Sequence, residues 1–236
     1  MHLPTPHVPD SPAQRQQDLR RWRRAFNLSL GAVLALAAVH ALQGAVDVSA
    51  WTVRPGRPDG LLGVLAAPLL HGSVTHLASN AFALLVLGTL TVAQFPRATR
   101  FTVPLAWATS GLVAWLLGDA GSHHLGASGV VSGLVFLLLA LGLLRRDRPS
   151  VAAAMLALAL FGGALLGVLP REPGISWQSH LGGAIAGVVG GWWMRAADPL
   201  PARVRYSWED EVEEDEELEA PADMAVTRLP PRGDWG

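Results

Sequence analysis

An all-α, polytopic membrane protein of six transmembrane helices, with both termini cytoplasmic, is predicted by three features of this sequence. Half of the 236 residues are hydrophobic and the mean hydropathy is +0.32, although both ends of the chain are polar. Charged residues almost vanish from several windows of about 15 to 21 residues, close to the length a helix needs to cross hydrocarbon. Arginine is also distributed unevenly between the segments that separate those windows. There are no cysteines, which removes disulfides, zinc–thiolate sites and thiol nucleophiles together. All eighteen basic residues are Arg, so no Lys can act as a base or form a Schiff base. The net charge of −1 averages a basic amino-terminal segment with an acidic tail.

Residues 1–18 are rich in Pro, Gln and His, and residues 1–25 as a whole are expected to form a disordered, basic cytoplasmic segment. Arg20, Arg21, Arg23 and Arg24 cluster at its end. The apolar run from Phe26 to Val46 is too long for the core of a signal peptide and has no clean small-x-small cleavage site, so it reads as the first span. A loop follows from Asp47 to about Leu65, punctuated by Pro55 and Pro58, with Trp51 suited to the headgroup zone. The second span is expected over Val74–Val92. The third covers Val103–Leu117, with Pro104 in its first turn, where a missing donor costs little. The fourth covers Ser128–Leu144 and stops at Arg145, Arg146 and Arg148. The fifth covers Val151–Leu169 and the sixth Ser179–Met194, ending at Trp192, Trp193 and Arg195. The core is therefore 26–195. Residues 196–236 form a tail, mostly Asp and Glu between Glu209 and Glu219, that reads as solvated and disordered. No internal repeat is visible.

Orientation follows from the arginines. With the amino terminus inside, the inner segments hold Arg15, the 20–24 cluster, Arg97, Arg100, Arg145, Arg146, Arg148, Arg195, Arg203 and Arg205. The outer segments hold Arg54, Arg57 and Arg171. This asymmetry sets the topology.

Polar side chains inside spans are costly and default to functional candidates. His71 lies just before span two, and His76 and Asn80 lie in its first turns. Ser128 opens span four within Gly126-Ala127-Ser128-Gly129, and His180 opens span six. All three spans enter from outside, so these groups share one shallow depth, within roughly 10 Å of the helix starts at 1.5 Å per residue. His76 and Asn80, four residues apart, share one helix face, as two neutral donors for a developing oxyanion would. Gly129 and Gly133 form a small-residue stripe beside Ser128, and Gly183, Gly187 and Gly191 continue one from His180. Such stripes let helix backbones approach closely in lipid. That approach would bring an imidazole, the natural base near neutral pH, to a hydroxyl that needs one to become a nucleophile. A lone GxSG, a span-entry His or a glycine stripe is each more often simple packing; the weight lies in their matched depth and side.

These residues resemble the rhomboid family of intramembrane serine proteases. The resemblance rests on His71-x4-His76-x3-Asn80, Gly126-Ala127-Ser128-Gly129 and His180-x2-Gly183-x3-Gly187, in the family's order across about 26–195. It implies cleavage of a peptide bond in or near a substrate's transmembrane helix by a serine–histidine dyad. Ser128 would be the nucleophile and His180 the general base, then acid. His76, Asn80 and the Ser128 backbone N–H would form the oxyanion hole, and His71 would line the water-filled entrance. The resemblance implies no metal and no cofactor. The partners would be a transmembrane protein substrate and the lipid bilayer, with no nucleic acid. The Ala-, Arg- and Gly-rich composition suits a bacterial protein, and the resemblance with the arginine topology implies the inner (plasma) membrane with the site opening to the extracytoplasmic side.

Three positions depart from the family. Ser132 stands where many members carry an aromatic residue against the histidine. The first loop lacks a clear Trp-Arg pair, although Trp51 and Arg54 are close. Residues 88–94 lack the family's Glu. Two other readings compete: a non-catalytic relative that binds transmembrane helices, against which both Ser128 and His180 speak, and a small transporter. Transporters usually show repeats and midplane broken helices, and neither is evident here.

Overall fold

A computed structural model of the chain describes residues 12–170 and 174–199, together with the backbone of 7–9 and 203–205. Asp18–Pro199 forms one compact unit, and Met1–Gln17 with Leu200–Gly236 forms another. In the second unit His7–Pro9 (β1) pairs in parallel with Arg203–Arg205 (β2). The acidic stretch expected to be disordered lies outside the described residues.

The helices of the first unit follow the expected apolar runs, with different ends. They are α1 (Pro12–Gln43), a short α2 (Leu62–Ala66), α3 (Val74–Gln94), α4 (Pro96–Leu117), α5 (Ser128–Arg145), α6 (Arg148–Phe161), a short α7 (Gly163–Gly167) and α8 (Trp177–Met194). Three of them, α1, α3 and α5, are long and apolar enough to cross a membrane by length and composition.

Beyond shifts of a few residues at several helix ends, four differences from expectation shape the fold. Helix α1 begins at Pro12 rather than Phe26, because Gln, Leu, Arg and Ala are good helix formers and nothing in that stretch breaks the turn. The first loop is not irregular throughout: it coils into single turns at Ser49–Trp51, Pro58–Leu61 and Ala67–Leu69 around α2. Helix α4 begins at Pro96, not Val103, which moves Pro104 from the first turn to the interior. Its missing N–H there leaves the Arg100 carbonyl without its usual intrahelical donor. The early start is made possible from a distance. The Asp198 carboxylate, only 5% exposed, accepts hydrogen bonds from the Arg97 and Ala98 backbone N–H groups at 3.0 and 2.9 Å. It caps a helix that has no cap of its own. Finally, the fifth apolar run breaks at Gly162 into α6 and α7, where two adjacent glycines weaken helix propagation.

Local caps fix the other starts. Ser73 caps α3, Asp147 caps α6 and Ser176 caps α8, each accepting from a backbone N–H three residues on. Helix α5 is hydrophobic on every face, as befits a central helix. It packs against α3, α4, α6 and α8, and α4 and α8 pack against each other. Leu134, Val135, Leu137, Leu138 and Leu141 of α5 meet Leu87 of α3 and Ala153 and Ala157 of α6 in the main core. Large apolar side chains point outward as well: Leu34, Phe82, Leu116, Met155, Ile185 and Trp193 are exposed, as they should be on helices solvated by lipid.

Candidate active site

Ser128 is the first residue of α5 and follows Gly126, whose φ of +113° favours glycine. Gly126 donates its N–H to the Ala67 carbonyl at 2.8 Å, which pins the turn to the first loop. As the first helical residue, Ser128 has a backbone N–H with no intrahelical acceptor. The side chain of Ser128 is partly exposed.

His76 and Asn80 of α3 come to this turn. A Cβ on Gly126 would sit 2.5 Å from His76 Cε1, 2.7 Å from His76 Nε2 and 3.7 Å from Asn80 Nδ2. Gly126 must therefore be bare for both side chains to reach it. Asn80 is 5% exposed, and its Nδ2 has no hydrogen-bond partner among the described residues. A buried donor without an acceptor costs about 1–3 kcal/mol, a cost that a site can recover only when something it binds supplies the acceptor.

Helix α8, which begins three residues before His180, packs on α5 through glycine, and no hydrogen bond joins Ser128 to His180 among the described residues. A Cβ on Gly183 would overlap the Gly129 carbonyl, and one on Gly187 would overlap the Gly133 carbonyl. A Cβ on Gly129 would in turn meet the Ser179 carbonyl at 3.0 Å. The two backbones are thus in direct contact along the stripe. Ser132, one turn beyond Ser128, donates its hydroxyl to the His180 backbone carbonyl at 2.9 Å. It braces the histidine through the main chain, where an aromatic side chain would have packed on the ring.

The ring has a second anchor that the sequence did not disclose. His180 Nδ1 lies 3.0 Å from the Gly167 carbonyl. A carbonyl oxygen only accepts, so Nδ1 carries the proton and Nε2 is left as the basic nitrogen. Gly167 closes α7, and a Cβ there would stand 3.0 Å from Nδ1, so glycine permits the approach.

His71 does not line an open entrance. It is fully buried, and both its ring nitrogens lack partners among the described residues. Its ring meets that of His76 edge-on at 5.1 Å between centroids. Burial, with the His76 and His40 imidazoles nearby, pushes its pKa down to about 4, so it is neutral at pH 7. Gln43 at the end of α1 grips its backbone from both sides: the Gln43 amide nitrogen donates to the His71 carbonyl, and the His71 N–H donates to Gln43 Oε1 at 3.2 Å.

A polar network on the same side joins the loop before Ser128 to the start of α8. His124 Nδ1 is 2.6 Å from Ser176 Oγ, its Nε2 is 2.9 Å from Ser122 Oγ, and Ser176 Oγ donates to Ser179 Oγ at 2.8 Å. His124 also pairs through its backbone with Val53 of the first loop. Neither Ser176 nor His124 was a candidate in the sequence, because the bond that joins them spans 52 residues of chain.

The fold and site thus define a membrane-embedded helical protein in which a serine and a histidine sit on two helices in backbone contact. The Rhomboid domain matches residues 58–197, more than half of the chain, and the chain belongs to the rhomboid family. It is 41% identical over 155 residues to an uncharacterized protein of Mycobacterium tuberculosis and to one of Mycobacterium bovis, matches that cover 62% of this chain and 64% of each relative. An uncharacterized protein of Mycobacterium leprae is 37% identical over 154 residues, covering 62% of this chain and 61% of its own length. The match therefore spans less than two thirds of these relatives.

Proposed function

We propose that this protein is an intramembrane serine endopeptidase that cleaves transmembrane segments of membrane proteins, with Ser128 as nucleophile and His180 as its base. The observation that carries the proposal is the hydrogen bond from His180 Nδ1 to the Gly167 carbonyl, which leaves Nε2 unprotonated on a helix in backbone contact with the turn of Ser128. No carboxylate is needed to set the tautomer. The family supports proteolysis as its general activity. In the proposed sequence, Nε2 takes the Ser128 hydroxyl proton as Oγ attacks the scissile carbonyl. The oxyanion is held by the Ser128 N–H, Asn80 Nδ2 and His76. The imidazolium then protonates the leaving amine, and water, deprotonated by the same nitrogen, hydrolyses the acyl ester. His71, buried and neutral, packs the ring of His76 in place and takes no proton.

The protein would lie in the bacterial plasma membrane, crossing it six times between residues 26 and 195, with the site open to the extracytoplasmic side and both termini cytoplasmic. The test is cleavage of a reporter transmembrane substrate in liposomes. Ser128→Ala and His180→Ala should each lose nearly all cleavage while keeping the wild-type melting temperature. Wild-type turnover by Ser128→Ala would refute the mechanism; an inactive wild type would favour the non-catalytic, helix-binding reading.

A further inference from the structure

Because no hydrogen bond joins the Ser128 and His180 side chains among the described residues, their separation is set by whatever holds α8 against the turn before α5. The glycine stripe sets how closely the two helices lie. It does not by itself set their position along the axis. Gly183 lies on Gly129 and Gly187 on Gly133. After a slip of α8 by four residues, about 6 Å, glycine would still meet glycine, Gly187 on Gly129 and Gly191 on Gly133. Contacts that do not repeat must therefore supply the register. Two of them lie at or below His180: Ser132 donates to the His180 carbonyl at 2.9 Å, and Thr109 of α4 donates to the Gly182 carbonyl at 2.8 Å. Neither reaches the residues above His180, where α8 begins.

That beginning is held by His124. The His124 main chain is fixed first, since it exchanges N–H···O bonds with Val53 at 3.0 Å in each direction. Two residues on, Gly126 is tied to the Ala67 carbonyl at 2.8 Å, and Ser128 follows two residues later. The His124 ring is 8% exposed and lies against Gly118, where a Cβ would stand 2.5 Å from its Nε2. From this fixed post Nδ1 reaches Ser176 Oγ at 2.6 Å. Ser176 is the N-cap of α8: it accepts from the Ser179 N–H and gives its own proton to Ser179 Oγ at 2.8 Å. It offers the imidazole only an acceptor, so Nδ1 carries the proton. Ser179 immediately precedes His180. The other ring bond, from Nε2 to Ser122 Oγ at 2.9 Å, joins two residues of the same loop and holds nothing across.

We infer that His124 is a positioning residue: through Ser176 it locks the first turn of α8, and with it His180, in register with the turn that carries Ser128. The inference rests on the reading of Ser128 and His180 as a reacting pair. The bond that matters is the one from Nδ1. An asparagine amide nitrogen, one atom beyond Cγ, can replace it. A glutamine amide falls at the place of Nε2 and cannot.

The experiment uses the full-length protein in liposomes, spin-labelled at Ala120→Cys and Ile175→Cys, exposed positions of the loop before α5 and of the approach to α8. The distance between the labels should form one narrow peak. His124→Phe, of similar size but without ring nitrogens, should broaden it, and so should His124→Gln. His124→Asn should restore the narrow peak, and Ser122→Ala should leave it unchanged. In the same preparations His124→Phe should lower kcat for a reporter transmembrane substrate by roughly 10- to 100-fold with KM held, as a displacement of up to about 1 Å would. His124→Asn should recover most of that loss. If His124→Phe does not fold, His124→Gln carries the same comparison. The distance measurement needs no turnover, so it decides the tie even where the wild type cleaves nothing, a result that would refute the proteolytic reading alone. A narrow peak that survives both His124→Phe and His124→Gln would overturn the inference. So would a broadened peak with undiminished kcat, or a peak that His124→Asn fails to restore.

Discussion

Asn80 and Gly167 show how single residues can carry chemistry that a packing description would miss. The Asn80 amide is buried with an unpartnered Nδ2, so its place is hard to justify by stability alone. If it serves the oxyanion, Asn80→Ala should lower kcat by about 10²–10³. The melting temperature should hold or rise, because the variant removes an unsatisfied donor. Liposome cleavage kinetics and thermal denaturation read the two arms separately. Gly167 acts through another residue. A methyl at this position would meet His180 Nδ1 at 3.0 Å and push the ring off its carbonyl. Gly167→Ala should therefore reduce kcat with little change in KM, if its effect passes through His180 alone. A purely structural role would instead lower the melting temperature and leave kcat of the folded fraction unchanged. The two residues differ in legibility. Asn80 was readable because it stands four residues from His76 in an apolar helix. Gly167 was not, because a backbone carbonyl has no sequence signature and its direction depends on where a long apolar run breaks.

At the scale of elements, the contact between α5 and α8 was legible and the ends of α4 and α6 were not. Glycines at four-residue spacing on both helices can only be useful if something comes close, and both stripes do meet: Gly183 lies on the Gly129 carbonyl and Gly187 on that of Gly133. Helix boundaries carry a weaker signal. Phe95-Pro96 gives a break between two apolar runs, but nothing local says that Arg97 and Ala98 will be capped by Asp198, about a hundred residues downstream. Likewise the run from Val151 to Leu169 is apolar throughout, and only Gly162-Gly163 hints that it will not stay one helix. Gly183→Val tests the contact. The added side chain cannot fit against the Gly129 backbone, so the helices must separate, carrying His180 away from Ser128. Cleavage should fall at least 10²-fold, because a misplacement of about 1 Å at a reacting pair has that cost. Gly163→Ala, where a Cβ meets nothing within 4 Å, is the control and should remain active.

For the whole molecule, the open quantity is how many times the chain crosses the bilayer. Helices α1, α3 and α5 are sufficient by length and composition. Helix α6 is the difficult one. Its 14 residues span about 21 Å, against a hydrocarbon thickness of about 30 Å. The short α7 and the turns around it must cover the remainder, or the bilayer must thin locally. A chain without cysteine makes the question direct, because any introduced thiol is unique. Ala120, between α4 and α5, and Ile175, between α6 and α8, are exposed, as are Arg100 and Arg148 near the opposite helix ends. With six crossings, a membrane-impermeant maleimide added to intact cells should label Ala120→Cys and Ile175→Cys. It should reach Arg100→Cys and Arg148→Cys only after permeabilisation. The pair Arg148 and Ile175 decides the hard case, since labelling of both from the same side would mean that α6 and α7 turn back. The start of α8, and His180 with it, would then enter from the face opposite Ser128, a placement incompatible with the hydrogen bond between Ser132 and the His180 carbonyl. Six crossings and the short distance between the two helix starts therefore stand or fall together.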